Sequence, residues 1–223
     1  MLLIVWALFL RLPFFFPATI NWDESGYIIV GQVILDGLLP YDPVWESKPP
    51  LVYAFFAAAI SLFGKTIVAV RFAGYLWVTA AAYLTYRSAY ALTSERRASV
   101  AVAVLFITAT SLLSPEVMTE SLALVPLIGA LLLLLTIERT VATCLFAGVL
   151  MGTGAMFRQN LAYLAVLVGL YIVLYPPIVS VPRSVVRGLI YAAGGMIVIF
   201  VTAIPYFYRT ASNCGSTAYF WLP

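Results

Sequence analysis

Long apolar runs separated by short polar breaks make up this chain, and the placement of the breaks predicts its elements. The opening run, MLLIVWALFLRLPFFF, reads as a first span, short against the roughly 20 residues that a bilayer crossing needs. After Pro17 the character changes. Asn21 can cap a helix, Asp23 and Glu24 complement the positive end of its dipole, and the helix runs to about Asp36, with Gly37 as its stop. Ile28, Ile29, Val33 and Ile34 give it one face to rest on a membrane surface. LLPYDPVWESKPP then reads as an ordered, extended loop rich in proline. Pro49 and Pro50 start a second helix, LVYAFFAAAISLF, which Gly64 ends. It reaches only about 20 Å against a hydrocarbon core of about 30 Å, so it is expected to lie in or dip into the interface rather than cross.

Beyond it the apolar runs predict crossings at 66–91, 98–113, 120–137, 141–157, 161–176 and 188–207, seven in all with the first span. Runs such as LALVPLIGALLLLLTI lack the alternation of a barrel strand. The expected fold is an all-α, polytopic transmembrane helical bundle, one domain over 1–223. Its first outer loop, at 18–65, carries two juxtamembrane helices.

Composition narrows the class. The chain is 64% hydrophobic and 9% charged, against roughly 25% charged in soluble domains. Histidine is absent, which removes the commonest general base and metal ligand. Cys144 and Cys214 are expected on opposite sides of the membrane, with no disulfide between them. The net charge of +3 comes from scattered basic residues and gives no nucleic-acid surface. No fixed-period repeat, phosphate-binding glycine loop or zinc spacing occurs. The first segment lacks the basic start and small-residue cleavage site of a signal peptide.

Charge sets an orientation. With a cytoplasmic amino terminus, the inner turns hold Arg87, Arg96, Arg97, Arg139, Arg183 and Arg187 against Glu95 and Glu138 alone, as expected when positive charge stays inside. The other seven carboxylates then lie outside, together with Lys48, Lys65, Arg71, Arg158 and Arg209.

Three polar stretches fall on that outer side: the Asp23 loop with Lys48, SPEVMTES at 114–121, and FRQN at 157–160. Each residue has a plain reading beside a functional one. Asp23 and Glu24 suit helix capping as well as an active site. Glu120 suits a helix start, and Arg158 a terminal anchor. Arg11 either snorkels to the interface or faces the same polar cavity as Asp23.

An outward membrane site has no supply of nucleotide cofactors, so its activated substrates are lipid-linked. A sugar on polyprenyl phosphate carries its own leaving group, whose developing charge Lys or Arg stabilises. The attacking hydroxyl needs a base, and one displacement inverts the anomeric carbon. Asp23 fits the base, and Lys48 and Arg158 fit the phosphate. No cofactor is required. A metal would need three or more convergent oxygen ligands. The competing reading is a non-enzymatic membrane protein, either a transporter of a polar or lipid-linked solute or an inactive assembly partner.

An Arg and a Pro near the end of the first span, Asp23-Glu24 with Tyr27, Gly31, the ILDGLLPY run, Lys48-Pro49-Pro50, Phe63-Gly64 and Ala69-Val70-Arg71 occur in order. This set resembles the amino-terminal part of the GT-C glycosyltransferases of the dolichyl-phosphate-mannose protein mannosyltransferase group, which includes bacterial lipid A aminoarabinose transferases. The resemblance covers residues 1 to about 160. It implies Asp23 as the acidic residue of the first outer loop assigned as catalytic, Glu24 as its neighbour in the motif, and Glu120 as a second acidic position. It also implies substrate contacts from Lys48, with Tyr27, Arg71 and Arg158 as further candidates. The implied partners are a polyprenyl-phosphate sugar donor, an unidentified acceptor and the bilayer, with the site on the extracytoplasmic face of a plasma (inner) membrane. Members typically carry more spans and an outer carboxy-terminal domain, so the sequence reads as a fragment or shortened member.

Overall fold

The computed structural model describes residues 2–17, 21–40, 47–175 and 181–217, with side chains as far as 206. The expected loop segment at 41–46, with Asp42 and Glu46, lies outside the described residues, as do 176–180 of the inner turn and the side chains of Arg209 and Cys214. All regular elements among the described residues are helical. They are α1 (Leu2–Arg11), continued by a 3-10 turn at Leu12–Phe14, then α2 (Trp22–Leu35), α3 (Pro50–Phe63), α4 (Ile67–Thr93) and α5 (Arg96–Leu113). There follow α6 (Thr119–Thr136), α7 (Val141–Phe157), a 3-10 turn at Gln159–Leu161, α8 (Ala162–Leu174) and α9 (Val181–Thr217).

Both juxtamembrane helices form between their sequence signals. The Asn21 side chain accepts from the Asp23 N–H at 3.0 Å, which satisfies a donor that the first turn leaves open. Gly37 and Gly64 take positive φ of 83° and 101° just past the two helices, a conformation that costs glycine nothing. α9 begins earlier than the expected 188. Pro182 sits in its first turn, where a missing N–H breaks no helical bond, so the helix already runs from Val181.

Among the described residues, four helices are long and apolar enough to cross a membrane: Ile67–Thr93, Arg96–Leu113, Thr119–Thr136 and Val181–Tyr206. Leu2–Phe14, Val141–Phe157 and Gln159–Leu174 are shorter apolar helices, so length marks four of the seven expected crossings. Pro50–Phe63 is short as well. α7 packs between α6 and α9 with α8 alongside, α4 lies against α5 and α6, and α1 rests on α4 and α5. α2 pairs with α3, which in turn touches α4 and α7.

The core therefore runs from the juxtamembrane pair into the bundle. Tyr27, Tyr53, Phe56, Val70, Leu122 and Met151 belong to one buried cluster. The Tyr27 ring lies 5.5 Å from Phe56 and 6.1 Å from Tyr53. Trp77 packs against Phe55 at 5.2 Å and Phe157 at 6.1 Å, and its indole N–H donates to the Leu122 carbonyl at 2.8 Å. That carbonyl sits four residues before Pro126, inside α6, and proline has no N–H to offer it. Leu105, Leu112, Leu167, Leu189 and Phe200 stay exposed on the outer helices, as expected of surfaces solvated by lipid.

Candidate active site at one end of the bundle

The first turn of α2 sends two neighbouring carboxylates into different surroundings, because successive helical residues point about 100° apart. Asp23 is exposed. Glu24 is fully buried and Arg71, on α4, is 2% exposed. Arg71 Nη2 donates to Glu24 Oε2 at 2.7 Å, and Nε reaches Oε2 at 3.1 Å and Oε1 at 3.3 Å. Glu24 Oε1 also accepts from the Val117 N–H at 3.0 Å. The remaining Arg71 nitrogen, Nη1, donates to the carbonyls of Phe14 at 2.8 Å and Pro17 at 2.6 Å. Such complete pairing is what burial of two charges demands. Gly74 makes room for it, since a Cβ there would come within 2.4 Å of the Val117 side chain. The Val117 turn can then lie directly on α4.

Arg11 serves the same turn from the other side. It is 2% exposed, with its guanidinium turned into the protein. Its guanidinium donates to Ser111 Oγ at 3.2 Å and to the carbonyls of Thr110 at 3.2 Å, Ser114 at 3.1 Å and Pro115 at 3.1 Å. These carbonyls lie at or just beyond the end of α5, where a cation also complements the helix dipole.

The three polar stretches meet. Asn21 Nδ2 donates to Glu116 Oε1 at 3.3 Å, and Glu24 holds Val117, so the first stretch is joined to the second. Arg158 Nη1 forms an ion pair with Glu120 and donates to Thr119 Oγ1 at 3.0 Å, while Thr119 donates to Glu120 Oε2 at 2.9 Å. That joins the second to the third. The Glu120–Arg158 pair is substantially exposed, with side chains 47% and 33% accessible.

Each sequence-derived candidate now has a location. Asp23 sits at the exposed start of α2 and accepts from the Tyr27 hydroxyl at 3.4 Å. Tyr27 itself is 1% exposed. Glu24 and Arg71 face each other. Glu120 and Arg158 pair across α6 and α7. Lys48 is half-buried just ahead of α3. Among the described residues, no group of three acidic or cysteine side chains converges as metal ligands. Sequence reasoning left out Thr119, the Asn21–Glu116 link and the N–H of Val117. Only the rule that a charge within apolar helices must find partners pointed towards such contacts.

An exposed carboxylate, braced by a phenol and standing at the same end as a partly exposed arginine, can take a proton while a cation faces an anion. A family model described as dolichyl-phosphate-mannose-protein mannosyltransferase matches residues 47–208. The chain belongs to this family. It is accordingly an integral membrane protein of a glycosyltransferase family. Within the mannosyltransferase match fall Lys48, Arg71, Glu120 and Arg158, whereas Asp23, Glu24 and Tyr27 precede it. No curated protein and no solved structure matches the chain.

Proposed function

We propose that this mannosyltransferase-family protein transfers a sugar from a polyprenyl-phosphate donor to an acceptor hydroxyl, with inversion, at the extracytoplasmic end of the bundle. The observation that carries this reading is the division of labour at α2: Glu24 is used up in a buried pair, and Asp23 beside it is exposed. Asp23 takes the acceptor proton as the new bond to the anomeric carbon forms. The bond from that carbon to the phosphate oxygen breaks, and polyprenyl phosphate leaves with the electron pair. Tyr27 orients Asp23 through its hydroxyl. Glu24 and Arg71 are positioning residues that fix the start of α2 to α4. Arg158, held by Glu120 and Thr119, and Lys48 supply positive charge to the departing phosphate. The distribution of arginines between the two ends supports the outward orientation.

The test uses the full chain in proteoliposomes with radiolabelled polyprenyl-phosphate sugars. Asp23→Asn is expected to lower transfer by about 100-fold or more, the usual worth of a general base, while donor binding and fold persist. Transfer at the parent rate would remove Asp23 from the chemistry. Lys48→Ala and Arg158→Ala are expected to weaken donor binding, and unchanged affinity in both would exclude them as phosphate contacts.

A further inference from the structure

A second feature lies beside α2, apart from the transferase residues. A cavity of about 260 Å³ opens between α2, the end of α3 and the start of α4, lined by Ser25, Ile28, Gln32, Ile60, Lys65 and Thr66 among others. The lining is mostly apolar; its two hydroxyls are engaged, Ser25 donating to the Asn21 carbonyl and Thr66 accepting from the Ala69 N–H, and beside the Gln32 amide its single charged side chain is basic. Lys65 is exposed, and no carboxylate among the described residues forms an ion pair with it. Depth identifies the occupant. Lys65 precedes by two residues the first residue of a helix long enough to cross the membrane, Ile67–Thr93. Around it Leu62, Phe63, Val68 and Phe72 are exposed, at 75%, 44%, 40% and 38%. With Ile67–Thr93 as a crossing, the mouth falls beside its end, the level expected of phospholipid phosphates. A volume of about 260 Å³ is large enough for a compact headgroup.

We infer that this cavity binds the phosphate-bearing headgroup of an anionic phospholipid, with Lys65 facing the phosphate and the acyl chains lying outside along the exposed Leu62 and Phe72. Lysine suits the task as a compact point charge, and one lysine near an anionic lipid surface changes binding about fivefold. A bound headgroup would tie the α2–α3 pair to the membrane, and Asp23 is not among the residues that line the cavity. The inference stands independently of the donor, the acceptor and the reaction.

Native mass spectrometry of the full chain in detergent, with added phosphatidylglycerol, phosphatidylcholine or inorganic phosphate, tests it. One phosphatidylglycerol is expected to be retained, preferentially over phosphatidylcholine. Lys65→Gln should lower its retention about fivefold, and Lys65→Arg should preserve it. Gln32→Trp, which fills the cavity and keeps the charge, should lower it as well; circular dichroism checks that each variant is folded. Retention unchanged in Lys65→Gln overturns the proposal. So does loss in Lys65→Gln with none in folded Gln32→Trp, which would put the lipid on the outer surface. Equal retention of both lipids, or a phosphate adduct that excludes the lipid, overturns the assignment to an anionic headgroup.

Discussion

At the scale of single residues, the decisive contrast is between Asp23 and Glu24. Their sequence context suits capping and catalysis equally, and a cap is present, made by Asn21. Which carboxylate is buried depends on Arg71, 47 positions away from Glu24, and on the Val117 N–H. No local pattern contains that information. The pair carries a stability prediction. Glu24→Gln leaves the Arg71 charge buried and uncompensated, and is expected to destabilise the protein by about 3–5 kcal/mol. Replacing both, as Glu24→Leu with Arg71→Met, should cost clearly less than the sum of the single changes. Unfolding in detergent micelles measures both. A Glu24→Gln variant as stable as the parent would remove the pair from the forces that hold α2.

At the scale of elements, proline and glycine made most helix ends legible, because their backbone constraints act locally. Gly37, Gly64 and Pro50 bound α2 and α3 as expected. The start of α9 was not legible, since Pro182 reads equally well as a loop residue or as a first-turn residue. Pro126 raises the opposite problem, a proline within a helix, and Trp77 answers it from α4. Trp77→Phe is expected to cost about 1–3 kcal/mol by leaving the Leu122 carbonyl unsatisfied. In a Pro126→Ala background the restored N–H at 126 reaches that carbonyl, and the cost of Trp77→Phe should shrink. A double-mutant cycle on thermal unfolding checks the coupling, and strict additivity would show that the indole and the proline act separately.

At the scale of the whole molecule, the polar stretches gather at one end of the bundle. At the other end, Arg139 donates to the Tyr175 carbonyl at 3.1 Å and lies 4.6 Å from the centre of the Tyr171 ring. If the first of these ends is extracytoplasmic, single cysteines report it. In a background with Cys144 and Cys214 replaced by serine, Lys65→Cys should react with a membrane-impermeant maleimide on intact cells. Glu95→Cys should react only after permeabilisation. The reverse pattern would invert the orientation and put the candidate site on the cytoplasmic side.

Hydrophobic patterning by itself determined the helical membrane class, most helix boundaries and the residue types gathered near the candidate site, because a bilayer forces every apolar run to satisfy its own backbone. Only the tertiary structure decided which of those residues are spent on one another. Arg11, Glu24 and Arg71 turn inward to carbonyls, an N–H and each other, since a charge withdrawn from water must be met in full. Asp23 stays exposed because the helix turns it away from that network, and a turn of the helix has consequences only once there is a bundle for it to face.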